Sequence, residues 1–519
     1  MDGRRGQPQQ RSRAMSRATL RSAFFRPISA LLLTSAIACA PLGPDFREPD
    51  MAWLSAWQPD LYGQAYQEPG ASDLSQWWQR LGDPTLNNLI AIARIENPTL
   101  QIAGLRILES RAALGIAIGL KYPQLQQIDG AAAYVSEYLH GGADDDHRDY
   151  RTGDIAFNIQ WEMDFWGRFR RGIESADAAF FASIANQRDG QVLLAAEVAT
   201  RYYDYKTTLQ RIDIAQRNIA LQERNVAITR ALFASGQESE LDLQQARTQL
   251  LATLATIPAL KLTLSLQRNA LCALLGRAPG DLPELAGVDD SLPDIRRIPL
   301  NEAPVSLLLR RPDVRAAAWQ AAAQSAQVGV AITDLYPAIS LFGTLGWAGT
   351  SLDNIPDVST FAIGPALRWN IFSYGRIENN VRVQDARLQQ LLEVFRATVL
   401  QAARETDDAA SRIAQTHARQ SILNESLTAA ERSLEIAMRR YQEGYSDFQR
   451  VLDAQAAVFV QSDLVVINRG DHVTAIIELY RSLGGGWREA GIDDLVPAET
   501  RYRMTERVDW GDLLQEPIP

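Results

Sequence analysis

Four stretches of this chain alternate apolar and polar residues with a period of two. Residues 154–163 place Ile155, Phe157, Ile159, Trp161 and Met163 on one face, and Asp154, Ala156, Asn158, Gln160 and Glu162 on the other. Residues 360–371 set Phe361, Ile363, Leu367, Trp369 and Ile371 against Thr360, Ala362, Gly364, Arg368 and Asn370. Residues 338–347 carry Ile339, Leu341, Leu345 and Trp347 on one side, and 124–138 alternates less cleanly around Ile128 and Tyr134. This period predicts β-strands at about 124–138, 152–163, 337–349 and 359–372. A half-buried sheet of a soluble protein would alternate in the same way. Two features favour a sheet with one face to lipid and the other to a lumen. The segments are long enough to cross a bilayer when tilted, and Trp161, Trp347 and Trp369 stand near their ends as an interfacial girdle would. Pro365 inside the fourth strand forfeits a ladder hydrogen bond, so a bulge is expected there.

The other dominant pattern is helical. Residues 168–235 and 376–443 contain no proline, and the second stretch contains no glycine. A helix of about 68 residues is about 100 Å long at about 1.5 Å per residue, a length seen in coiled coils. Each is followed by a turn and a returning helix, the first of which carries Pro258.

Strands and helices come twice. Asn97-Pro98 and Tyr122-Pro123 recur 214 residues later as Arg311-Pro312 and Tyr336-Pro337. From there the offset is 208: Trp161 with Trp369, Gly167-Arg168 with Gly375-Arg376, Gly236 with Gly444, and Leu275-Gly276 with Leu483-Gly484. A constant offset over such a distance identifies one module used twice. Its order is helix, helix, strand, strand, long helix, helix. The expected division is a first repeat at 83–276, a connector at 277–300, a second repeat at 301–484 and a tail at 485–519.

Four strands cannot close a barrel, and an open edge in lipid leaves backbone groups unpaired at several kcal/mol each. The chain is therefore expected to associate with itself. Three copies would supply twelve strands, an even number in the usual range, and twelve helices side by side in a second cylinder.

Composition narrows the chemistry. The net charge is −10, which argues against nucleic acid as a partner. Two cysteines, Cys39 and Cys272, and four scattered histidines supply neither a disulfide framework nor a dense metal site, and no cofactor is called for. No run of 18 apolar residues marks a helical membrane span. The polar group Asp144-Asp145-Asp146-His147 falls in an expected hairpin loop, 139–153, and reads as an exposed loop rather than a metal site or an enzyme's centre.

Residues 1–38 hold seven arginines and one aspartate, and without them the remainder carries −16. Basic residues 4–26, an apolar run at 28–38 and then Cys39 read as a lipoprotein signal, with Cys39 acylated and 39–82 an N-terminal extension. A plain secretory signal with an incidental cysteine is the alternative, and either Met1 or Met15 can be the start. Ala40 after the cysteine fits sorting to an outer membrane.

From Cys39 to about residue 490 the chain resembles the TolC-like outer-membrane factors, in their lipoprotein branch. The resemblance rests on an ordered set of pieces on the duplicated frame. They begin with Gly43-Pro44-Asp45-Phe46, Trp77-Trp78 and Asp83-Pro84. Arg311-Pro312-Asp313-Val314, Gly364-Pro365 and Trp369-Asn370-Ile371-Phe372 follow, and then Arg440-Tyr441 and Val451-Leu452-Asp453-Ala454-Gln455.

The resemblance implies a mainly α protein with a transmembrane β-barrel: a homotrimer with a 12-stranded barrel on a 12-helix periplasmic tunnel. It further implies a periplasmic adaptor protein and an inner-membrane transporter as partners, and a passive role in efflux of small molecules. Export of a protein or peptide by an ATP-driven system is the alternative. Gly236 and Gly444 would mark helix tips that open and close, with Leu241 beside them for the adaptor. Asp242 and Tyr441 would form a latch between neighbouring helix pairs, and Asp453 a carboxylate ring at the constriction. From the residues alone, Tyr441 could equally be a helix-end aromatic and Asp453 a solvated helix residue. Arg450, Gln449 and Ala456 depart from residues found around that ring in relatives.

Overall fold

In the computed structural model the chain is described over residues 40–54, 57, 61–63, 65–67, 74–139, 146–295, 298–300, 304–349 and 357–519. Cys39 lies outside the described residues. The helices are α1 Pro84–Glu96, α2 Pro98–Gly119, α3 Arg168–Ala234, α4 Glu240–Leu274, α5 Pro304–Arg310, α6 Pro312–Thr333, α7 Arg376–Gln442, α8 Gln449–Ser482, α9 Ile492–Leu495 and α10 Ala498–Arg507. The strands are β1 Ala65–Gln67, β2 Leu125–Leu139, β3 Asp146–Glu162, β4 Ile298–Leu300, β5 Ala338–Gly349 and β6 Val358–Arg368. Two compact units form, and each draws on both sequence repeats.

The first unit comprises residues up to Asp45, Ile116–Ser175 and Ser325–Asp385. Its sheet is antiparallel in the order β2-β3-β5-β6. Opposite partners share a face, so the register puts Ile128, Phe157, Leu345 and Phe361 in one row and Ile155 beside Trp347. This apolar face is open, with Phe361 75% exposed. The other face is polar and cross-linked: Asn158 Nδ2 donates to Asp129 at 2.8 Å, and Thr344 Oγ1 donates to Asn158 Oδ1 at 2.9 Å.

Three expectations need correction. Leu139 pairs with Asp146, so the first hairpin loop is far shorter than 139–153, and His147 sits on β3 opposite Tyr138. Ladder bonds continue beyond the apolar band because they do not depend on side-chain polarity. Residues 369–372 are not strand. Arg368 already pairs with Ala338, the first residue of β5, which leaves them no partner. Pro365 faces Leu341 in an unbroken register without a bulge, because a missing N–H forfeits one ladder bond but does not supply the extra residue that a bulge requires.

The same unit clamps the N-terminal segment. Arg171, with a side chain 3% exposed, donates to the carbonyls of Leu42 at 3.0 Å and Gly43 at 3.1 Å, and pairs with Asp45 at 2.8 Å and Glu174 at 2.7 Å.

The second unit comprises Phe46–Gly115, Ala176–Gln324 and Ala386–Pro519. Its main core gathers Trp77, Leu86, Ile90, Tyr202, Leu271, Ile476 and Tyr480. Trp77 stacks on Tyr480 with centroids 5.0 Å apart. The repeat is visible here as equivalent fastenings. Asn97 Nδ2 donates to Leu274 O at 2.9 Å at the end of α4, and Arg311 donates to Ser482 O at 2.8 Å at the end of α8. Different side chains thus satisfy the same orphan carbonyls. A small parallel sheet pairs β1 with β4. The helices α4 and α8 each include a stretch long and apolar enough to cross a bilayer by length and composition, although 11% of the α4 stretch is buried.

Asp83 is the polar hub of this core. It caps α1 by accepting from Thr85 N and Leu86 N, and it also accepts from Tyr202 and Lys206, both at 2.9 Å. Burial raises its carboxyl, but the bonds from Lys206 and Tyr202 and the Lys206 charge outweigh this and hold it below the ordinary value. A depressed carboxylate stabilises the fold above its unfolded pKa, and the contribution is lost as pH falls through the folded one.

Replacing Asp83 with Asn strands the Lys206 ammonium, whose side chain is 4% exposed. We expect a loss of about 3 kcal/mol near neutral pH. Thermal unfolding of wild type and D83N in detergent should converge as the pH is lowered through the carboxylate range; a gap that does not narrow refutes the role of the charge. A second outcome concerns Gly276 (φ +69°), where an added Cβ would lie 2.4 Å from Glu96 O. Gly236 has a similar φ, +78°, and open space around it. Gly276→Ala should therefore destabilise by more than the roughly 1–2 kcal/mol of a left-handed residue alone, and Gly236→Ala by no more than that. The two unfolding midpoints measure the difference.

Candidate gate at the helix tips and the aromatic belt

The tips belong to the second unit. Each long helix ends in a glycine at φ +78°, Gly236 after α3 and Gly444 after α7. Both turns close with the same bonds. Gln237 N donates to Leu232 O at 2.9 Å and Gly236 N to Phe233 O at 2.9 Å, while Tyr445 N donates to Arg440 O at 2.8 Å and Gly444 N to Tyr441 O at 3.0 Å. This is the left-handed glycine cap that satisfies the last carbonyls of a helix. Open space at both glycines means that φ alone requires them.

The helices leaving the tips start differently. Ser239 and Asp242 form a capping box at α4, with Ser239 N donating to Asp242 Oδ2 and Asp242 N to Ser239 Oγ, both at 3.3 Å. Phe448 precedes α8 without a side-chain cap and is instead buried with Val226, Leu243, Ala246, Val451 and Leu452. Tyr441 packs on this cluster, its ring 5.1 Å from that of Phe448.

The Tyr441 hydroxyl donates to Glu238 Oε1 at 2.8 Å. Burial comes first, followed by the bond to Glu238 and the nearby Asp242 charge, and together they push the phenol up to about 12. Tyr441 therefore stays a donor at any working pH. Asp242 is engaged in its own helix cap, and Glu238 is the acceptor that sequence reading passed over. Its signal was present: Glu238 stands two residues after Gly236, in the turn that faces the end of α7. Asp453 is exposed and accepts from Gln449 Nε2 at 2.8 Å. Arg450 lies 3.9 Å from Asp447. Leu241 is 65% exposed at the tip. Just inside, Asn225 donates to Gln455 at 2.7 Å in a buried bond between α3 and α8.

The three tryptophans expected as an aromatic belt lie in the first unit. Trp161 Nε1 donates to Lys121 O at 3.2 Å, and Trp369 Nε1 to Leu335 O at 3.0 Å. Both indoles are partly exposed beside the helix-proximal end of the sheet, and their partners are equivalent positions of the repeat. Trp347 pairs with Ile155 on the open apolar face, nearer the hairpin end. An indole whose N–H is held by the backbone while its ring stays open suits a boundary between apolar and polar surroundings.

The sequence model of the family described as "Outer membrane efflux protein" matches residues 89–277 and 303–485, one segment in each repeat. The cation efflux system protein CusC of Escherichia coli O6:H1 is 29% identical over 470 residues, covering 88% of this chain and 97% of the relative. The solvent efflux pump outer membrane protein SrpC of Pseudomonas putida is 27% identical over 471 residues, covering 89% and 98%. Among solved structures, the outer-membrane channel OprN superposes with a TM-score of 0.78 at 31% identity, covering 86% of this chain and 99% of that one. With both repeats matched and its relatives covered nearly end to end, this chain belongs to the outer membrane efflux protein family.

Proposed function

We propose that three copies assemble into a closed channel that carries small molecules out through the outer membrane, as the outer component of a tripartite pump. The observation that carries this reading is the open sheet. Its edges β2 and β6 lack partners among the described residues, and one face carries an exposed apolar band around Ile128, Phe157, Leu345 and Phe361. In lipid such edges must be paired, and two more copies pair them in a barrel of twelve strands. The apolar stretches of α4 and α8 find cover in the same assembly, against helices of neighbouring copies. A periplasmic adaptor meets the tips, and an inner-membrane transporter supplies the energy. The chain itself is a passive conduit, not an enzyme. CusC is named for cation efflux and SrpC for solvent efflux, and efflux of small molecules is the shared reading for this chain.

In this reading the bond from Tyr441 to Glu238 holds the tips of the two helix pairs together in the closed state. A hydroxyl donating to a carboxylate is worth about 1.5–3 kcal/mol, enough to bias an equilibrium and small enough for an adaptor to overcome. Asp453 contributes one carboxylate per copy to a ring that favours cations. Cys39 carries the lipid.

Tyr441→Phe should raise the resting conductance of reconstituted channels severalfold, with Glu238→Gln doing the same and Asp242→Asn doing less. Planar-bilayer recordings decide it, and unchanged conductance in Y441F removes the latch. Cys39→Ser should abolish incorporation of labelled palmitate while leaving trimers on native gels; continued labelling would place the anchor elsewhere.

A further inference from the structure

Within the first unit, an aromatic contact at the helix-proximal end of the sheet joins one repeat to the other. The ring of Trp166, from the first repeat, lies 4.7 Å from that of Tyr336, from the second, with the planes tilted by 33°. Trp166 Nε1 donates to Pro337 O at 2.9 Å, and Met163 N donates to Ile339 O at 2.9 Å. Met163 and Trp166 are both half-buried by this junction.

The equivalent residues at the outer ends of the two repeats have no such seat. An offset of 208 carries Met163 to Ile371 and Trp166 to Tyr374, and one of 214 carries Tyr336-Pro337 to Tyr122-Pro123. Tyr122-Pro123 stands just before β2 and residues 371–374 just after β6, at opposite edges of the four-stranded sheet. Within one chain these residues are open: Tyr374 is 99% exposed, Ile371 68% and Tyr122 64%. Clustered exposed apolar side chains mark a surface that another molecule covers.

The chain itself shows what that cover is. In a ring of three copies, six repeats follow one another, and every junction lies either inside a chain or between chains. The end of one copy then meets the start of the next, a head-to-tail contact that a threefold rotation closes. The internal junction has an additional cover, since Leu42 N donates to Trp166 O at 3.0 Å. That strap is already engaged there, which leaves the junction between copies to the rings.

We propose that residues 371–374 clasp the neighbouring copy. Tyr374 packs on Tyr122 of the partner subunit, as Trp166 packs on Tyr336 within the chain, and the paired rings add attraction beyond the area they cover. This inference rests on the trimer proposed above and assigns the contact that joins its copies beside the sheet.

The test places Tyr122→Cys and Tyr374→Cys in one full-length chain that also carries Cys272→Ser, and treats it with a short bis-maleimide. Denaturing gels should show covalently linked dimers and trimers, with neither formed by the two single-site controls. Native gels run in parallel separate the two readings. Trimers that yield no linked species overturn the clasp and leave the trimer standing, whereas wild type found only as a monomer overturns both. Dissociation of trimers by increasing SDS decides the matter without cysteines. Tyr374→Phe should leave the midpoint in place, and Tyr374→Ser and Tyr122→Ser should each shift it to lower SDS. Combined, they should shift it no further than either alone, because both remove the same contact. An unmoved midpoint, or fully additive shifts, overturns the clasp.

Discussion

Backbone hydrogen bonds that cannot be left open organise this chain. A sheet in hydrocarbon has no water to satisfy its edge groups, and a long helix has four free carbonyls at its end. The helix ends are closed within the chain by Gly236, Gly444, Asn97 and Arg311. Among the described residues the edges of β2 and β6 have no such internal answer. The helix ends are thus completed within the chain, whereas in the assembly proposed above the sheet edges are completed by neighbouring copies. The outer-membrane setting of the family follows from the second condition as much as from the apolar face.

Duplication lets the two repeats solve equal problems with unequal chemistry. Asn97 and Arg311 fasten corresponding helix ends, but only Arg311 adds ion pairs, to Asp313 at 2.8 Å and Glu405 at 3.0 Å. The tips diverge in the same way. One is started by a polar capping box and the other by a buried phenylalanine. Turn geometry is shared because φ at a single glycine sets it, while the side chains around it are free to differ. The bond between Tyr441 and Glu238 exists because of that asymmetry, since it joins an aromatic of one repeat to an acid of the other.

Much of this architecture could be read from the chain itself. Alternation at 154–163 and 338–347 reports strands directly, because every second side chain meets a different medium. The long helices were legible from the absence of proline. Two kinds of feature were not. The ends of strands depend on where a partner stops, as residues 369–372 illustrate, and the partner's limits are not local. Acceptor choice at the tip was equally hidden. Asp242 and Glu238 are both acids near Gly236, and only the fold reveals that Ser239 already occupies Asp242.

The Arg171 clamp sets the length of a leash. It grips the carbonyls of Leu42 and Gly43, and Pro41 packs against Gly167 at the foot of the sheet. Cys39 is two residues before Pro41, and a fully extended chain covers only about 3.5 Å per residue. Two residues of chain before Pro41 therefore span at most about 7 Å of backbone. In the lipid-anchored reading proposed above, a fatty chain on Cys39 would be held beside the sheet rather than on a long flexible tether.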